Sequence, residues 1–277
     1  MKTVKHTLTS NYIKYVAALL AAAPIVVATQ NCQAEAAAAT PVAEPEAPFV
    51  TGTLALTVDT HFVSYGADVW GAGNNWDDPL FHPMLELGFD LGGNFKGILG
   101  TWWDVNNNAP TSIGNSIQEV DVWAGLSYGM GKFTFTGLYQ EWMYASQTEK
   151  IVDLKASYAG FLNPSATFHF RVDSELPNTD DGLAVVLGIA PGLKLGENIS
   201  LTFPLNIAGE TEGFHGGDEG FSFASLGANA GIPLSFIPKG NWTFNIGVTY
   251  FVTSDDVIPN NPEDAFLTGS AGVTLTF

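Results

Sequence analysis

The stretch Leu267 to Phe277 reads LTGSAGVTLTF and alternates strictly with a period of two. Leu267, Gly269, Ala271, Val273, Leu275 and Phe277 fall on one side, and Thr268, Ser270, Gly272, Thr274 and Thr276 on the other. That period sends successive side chains to opposite faces of a β-strand. A polar face made only of small hydroxyls and glycine suits a water-filled lumen, and an apolar face that runs to an aromatic suits lipid. The stretch therefore predicts a strand of a transmembrane barrel rather than of a soluble sandwich.

The start of the chain agrees with export. Lys2, Lys5 and Lys14 give a positive region, Val16 to Ala28 an apolar run of 13 residues, and Ala34-Glu35-Ala36 a small-x-small cleavage pattern. The run falls short of the ~20 apolar residues of a spanning helix, so residues 1–36 are expected to be a cleaved signal. Cys32, the one cysteine, leaves with it, and Thr29-Gln30-Asn31 lacks the residues of a lipoprotein signal. A mature chain without thiols fits an oxidising compartment. Residues 37–49, rich in Ala, Pro and Glu, read as a disordered lead-in, and 50–277 as the barrel domain.

Composition points the same way: charged residues are 14%, aromatics 12%, and glycines number 30. No later apolar stretch reaches the length of a spanning helix. Twelve strand-like segments follow, near residues 51–65, 81–91, 95–105, 118–128, 132–144, 149–159, 166–174, 182–190, 197–209, 221–235, 241–253 and 265–277. Their connections alternate in length. Short ones lie at 92–94, 129–131, 160–165, 191–196 and 237–240; the other set, mostly longer and carrying most of the Asp, Asn and Trp, lies at 66–80, 106–117, 145–148, 175–181, 210–220 and 254–264. The expected fold is all-β, a single antiparallel transmembrane β-barrel with short periplasmic turns and longer extracellular loops, in the outer membrane of a Gram-negative bacterium.

Facing follows from the alternation. Val120, Val122, Ala124, Leu126 and Tyr128 point outward against Glu119, Asp121, Trp123, Gly125 and Ser127; Phe168, Phe170 and Val172 point outward against Thr167, His169, Arg171 and Asp173. The segment GLAVVLGIA (182–190) does not alternate, and the phase shifts between Phe221 and Gly227, as a bulge would make it. Aromatics at strand ends predict two interfacial girdles, the outer one made of Phe62, Tyr65, Trp103, Trp142 and Tyr144. The alternate apolar residues Val273, Leu275 and Phe277 resemble the signal read by the barrel-assembly machinery, which is an expected partner during biogenesis.

Two stretches, LALTVDTHFVSYGADVWG (54–71) and EVDVWAGLSYGMGKFTFTGLYQEWMY (119–144), resemble the TorF-type putative porins of Gram-negative bacteria. The family's first strand ends on Arg-Gly, where this chain has Tyr65-Gly66. The resemblance implies an outer-membrane pore.

Other function classes find little support. Outer-membrane lipid-active enzymes need a nucleophile within reach of a histidine, yet His61 and Ser64 fall on opposite faces of their strand and His169 sits mid-strand. No GxSxG, HExxH or phosphate-cradling loop occurs. Asp77-Asp78 and Asp255-Asp256 are weak divalent-ion candidates that would bridge to lipopolysaccharide phosphates, without the spacing of a calcium loop. No cofactor or tight metal site is expected. The mature chain keeps seven Lys and Arg against more than twenty acids, which disfavours nucleic acid.

Alternation turns Asp59, Glu86, Asp90, Asp104, Glu119, Asp121, Asp153 and Asp173 toward the lumen, opposed by Lys96, Lys155 and Arg171. The expectation is a porin-like diffusion channel for small hydrophilic solutes whose acidic lumen favours cations or neutral molecules. The alternative is a non-conducting barrel serving adhesion or envelope structure. The loop 66–80, with Trp70 and Trp76 as constriction candidates, decides between them: folded inward, it would fill the lumen.

Overall fold

The computed structural model describes residues 48–69, 77–107, 113–114, 116–177, 179–196 and 198–277, so the expected signal and nearly all of the lead-in lie outside the described residues. The strands are β1 (Val50–Asp59), β2 (Val63–Ser64), β3 (Ala67–Asp68), β4 (Leu80–Gly92), β5 (Phe95–Val105), β6 (Ile117–Met130), β7 (Phe133–Tyr144), β8 (Gln147–Tyr158), β9 (Ser165–Ser174), β10 (Gly182–Ile189), β11 (Gly192–Leu195), β12 (Ile199–Thr202), β13 (Leu205–Glu210), β14 (Gly220–Pro233), β15 (Asn241–Thr253) and β16 (Ala265–Thr276). All but β2 and β3 form one antiparallel sheet closed on itself, with β1 against β16 and β14 against β15.

Proline explains why fourteen sheet strands make twelve staves. Lacking an N–H, Pro191 and Pro204 interrupt the ladder between β10 and β11 and between β12 and β13. The ladder resumes through their carbonyls, which accept from Phe203 N at 2.9 Å and Gly227 N at 2.7 Å. The eighth stave therefore runs on through residues 192–195, where a turn at 191–196 was expected, and reverses at Gly196, whose φ is +64°. Closure pairs the staves around the whole ring, the condition for crossing lipid, and among the described strands of this sheet β11 alone has one ladder partner, β12.

Outside, Leu99, Leu126, Leu154, Leu226, Val248 and Leu267 stand roughly half exposed. A continuous apolar exterior of this kind is stable in a bilayer and not in water. The expected bulge is present: Ala208 pairs with Phe223 and Gly209 with Phe221, leaving Ser222 unpaired. A second bulge is a correction to the sequence reading. Lys150 pairs with Asp173 but Ile151 with Arg171, so Val172 is the extra residue and Asp173 leaves the lumen. Its carboxylate meets Lys150 Nζ at 2.6 Å on the outer face that Lys150 shares with Val152 and Leu154.

Candidate functional site

The first stave was expected to continue to residue 65, but it ends at Asp59 and the chain turns into the barrel. Thr60 fixes the departure: its N–H donates to Gly269 O at 2.9 Å and its hydroxyl accepts from Gly269 N at 2.8 Å. Residues 63–68 then close a hairpin on Tyr65 and Gly66, with φ of +47° and +91°. Two consecutive left-handed residues are the requirement of a tight two-residue hairpin, and glycine meets it without strain. A side chain at position 66 would also run into the ring of Phe223.

One amide from the last long loop clamps this hairpin. Asn261 Oδ1 accepts from Asp68 N at 2.8 Å, while its Nδ2 donates to Gly66 O at 2.9 Å and to Thr253 Oγ1 at 3.2 Å. Inside the barrel the hairpin meets aromatic rings. Tyr65 lies 3.9 Å from His169 and 6.4 Å from Trp142 and from Phe214, measured between ring centroids. Phe62 lies 4.9 Å from Trp102, and His61 stacks at 5.7 Å on Phe266. Burial, and then the neighbouring Asp153 carboxylate, hold the Tyr65 phenol far above its ordinary pKa, so it stays neutral.

The loops 211–219 and 254–264 fold over the same end. Phe214 and Ile258 are 1% exposed, and the Arg171 guanidinium lies 4.1 Å over the Phe214 ring while donating to its carbonyl. This half of the lumen is packed: Ile151, Ala184 and His169 are 0% exposed. Phe62, Tyr65, Trp142 and Tyr144 thus belong to an inner aromatic core, which corrects their expected place in an outer girdle. Trp103, 39% exposed, does face outward.

The charges inside are mostly held in pairs. His82 sits between Asp59 at 2.7 Å and Asp104 at 3.3 Å, and Asn106 Nδ2 donates to both oxygens of Asp104. Asp153 contacts His169 at 2.6 Å and Lys155 at 3.4 Å. Arg171 pairs with Glu149, whose other oxygen accepts from the Tyr144 hydroxyl at 2.8 Å. Glu86 accepts from Trp123 Nε1 at 3.0 Å. Glu119 and Asp121 lie on one face of β6, with Glu119 1% exposed. Asp90 and Lys96 face each other across the ladder beside the 92–94 turn, where Asp90 caps Gly92 N at 2.9 Å.

Glu149, Glu210 with His215 at 2.7 Å, and Asp68 with His61 at 4.0 Å were not singled out from sequence. The alternation of β8 could have supplied Glu149, since it shares a face with Ile151 and Asp153. Trp70 and Trp76 lie outside the described residues, and Asp77, Asp78, Asp255 and Asp256 are exposed. Among the described residues no group of three or more His, Cys, Asp or Glu is arranged to hold a metal ion. Val273 and Leu275 take outward positions on β16, and Phe277 covers Gly52, exchanging both backbone hydrogen bonds with it at 2.8 and 3.0 Å.

The other half of the lumen is different in kind. Thr53, Asn229, Asn245, Thr249, Ser270 and Thr274 occupy its inner positions, and the Lys155 side chain is 44% exposed there. A closed antiparallel barrel with an apolar exterior, a hydrophilic vestibule and an inward-folded hairpin defines a transmembrane β-barrel of the plugged or constricted kind. No family model and no curated protein matches the chain. Among solved structures it is similar to the NanC porin, with 8% identity and a TM-score of 0.51 over 81% of this chain and 100% of that one. It is also similar to the KdgM porin, with 9% identity and a TM-score of 0.49 over 81% of this chain and 99% of that one. At such identity the likeness to NanC is one of fold.

Proposed function

We propose that the chain is an outer-membrane, porin-like diffusion channel for small hydrophilic solutes, narrowed at its long-loop end by the hairpin 63–68. The observation that carries this reading is the contrast along the lumen: a vestibule lined by hydroxyls, amides and glycine leads to a constriction held by the Asn261 amide and by aromatic contacts. A barrel built only as a scaffold would gain stability by filling that vestibule with apolar side chains. The resemblance of residues 54–71 and 119–144 to TorF-type putative porins supports the same reading. The acid excess over Lys96, Lys155 and Arg171 favours cations or neutral solutes over anions.

The packing around His169, Phe214 and Ile258 favours a second reading, a non-conducting barrel that presents its acidic loops for adhesion or envelope structure. Planar-bilayer recording on the purified chain separates the two. Discrete current steps support the channel; insertion without steps supports the scaffold.

A further inference from the structure

Beside the hairpin tip the lumen holds an open cavity of ≈ 370 Å³, walled by the hairpin and by the staves from β8 to β15. We propose that this cavity is a binding site for a neutral polyhydroxylated solute, a saccharide of one or two rings. The proposal rests on the channel reading, for which it names the solute class.

Three features of the wall select that chemistry. Tyr65, Phe223 and Phe251 supply aromatic surface, the two phenylalanines 6.0 Å apart and inclined at 49°. Rings of this kind match the C–H face of a sugar, which a small ion or a fully polar solute lacks. Thr167, Asn206, Ser225 and Thr249 supply hydroxyl and amide groups. Each of these both donates and accepts, as a polyol requires. Asn206 Nδ2 donates to Ser225 Oγ at 3.1 Å, which orients the amide and leaves part of its capacity for a ligand.

Glycine protects this polar array. A Cβ at position 188 would stand 2.5 Å from Asn206 Oδ1, and one at 227 would stand 3.1 Å from Thr249 Oγ1. Both backbone positions are therefore kept bare beside the groups that would touch solute. Charge supplies the third feature. Lys155 is the one charged side chain among the described residues lining the cavity, and its ammonium lies 3.4 Å from Asp153. A solute with its own charge would find no unpaired partner and would lose its hydration uncompensated. The volume, near the lower end of the ≈ 300–1,000 Å³ of small-molecule sites, limits occupancy to a short saccharide.

The test is equilibrium binding to the full chain in a detergent without a sugar headgroup, by calorimetry or ligand-observed NMR. The probes are glucose and maltose, with glucuronate and glucosamine as charged counterparts. Glucose or maltose should bind in the millimolar range, and the charged sugars about tenfold more weakly. Thr249→Val and Gly188→Ala should each weaken binding about threefold to tenfold, the loss of one hydrogen bond, while the heat-modifiable gel band shows the barrel still folds. Tighter binding of glucuronate or glucosamine than of glucose overturns the proposal, as does absence of binding by the neutral sugars at about 100 mM. Binding by a chain that carries no current supports the site and counts against the channel reading. Current without binding overturns the site and leaves the channel reading standing.

Discussion

Replacing Asn261 with alanine should release the hairpin while leaving the barrel intact. The side chain makes three hydrogen bonds, to Asp68 N, Gly66 O and Thr253 Oγ1. Each contributes about 0.5–1.5 kcal/mol net, and the lower part of that range applies because water reaches Asn261. Two of the three reach the hairpin, so the loss is about 1.4 kcal/mol, which raises the population of the released hairpin about tenfold at 1.4 kcal/mol per decade. Hydrogen exchange reads this directly at the Val69 amide, which donates to Phe62 O at 2.9 Å and has no contact with Asn261 of its own. Its exchange should accelerate about tenfold by local opening, while amides of the β6–β7 ladder, such as Leu126, keep their protection. Unchanged exchange at Val69 would refute the clamp. Equal acceleration in β6 would show instead that the whole barrel had been destabilised.

Three further outcomes follow from the same structure. Cysteines placed at Asn107 or Asn260 should label in intact cells, and cysteines at Gly93 or Gly129 should not; labelling at the glycine turns behind a sealed membrane would reverse the orientation. Removing Phe277 breaks the backbone exchange with Gly52, and giving it a charge takes the ring off Gly52; either should leave protein unassembled and heat-unmodifiable on gels, whereas wild-type membrane levels would remove the assembly signal. Reversal potentials under a salt gradient should show cation preference that weakens as screening shortens to about 3 Å at 1 M salt; an anion-selective potential in the unmodified chain would contradict the charge argument.

What sequence revealed, and what it hid, has one physical cause. Alternation reads faces correctly where one face meets lipid and the other meets water, as in Leu267 to Phe277 and in Val120 to Tyr128. It fails where the inner face meets protein. GLAVVLGIA (182–190) looked unpatterned because Ala184 and Val186 point at the packed lumen and the hairpin rather than at water. Trp142 and Tyr144 looked like girdle residues for the same reason: an aromatic near a strand end reads alike whether it faces a headgroup or an inward loop. Asp173 was misplaced because a bulge leaves no mark in residue type when the inserted residue, Val172, is itself a good strand former. The hairpin was concealed by continuity, since VDTHFVSY alternates enough to pass for the end of the first stave. Its turn was nonetheless written in Tyr65-Gly66, where two residues take positive φ.

The central claim is that the hairpin narrows a conducting lumen, and single-channel conductance tests it most directly. The wild-type chain should be compared with a variant lacking residues 61–69, whose remaining loop still spans the first two long staves. The wild type should give small, discrete steps and the variant steps several-fold larger. Equal conductance in the two would place the hairpin outside the solute path, and absence of current from the shortened variant would contradict a channel altogether.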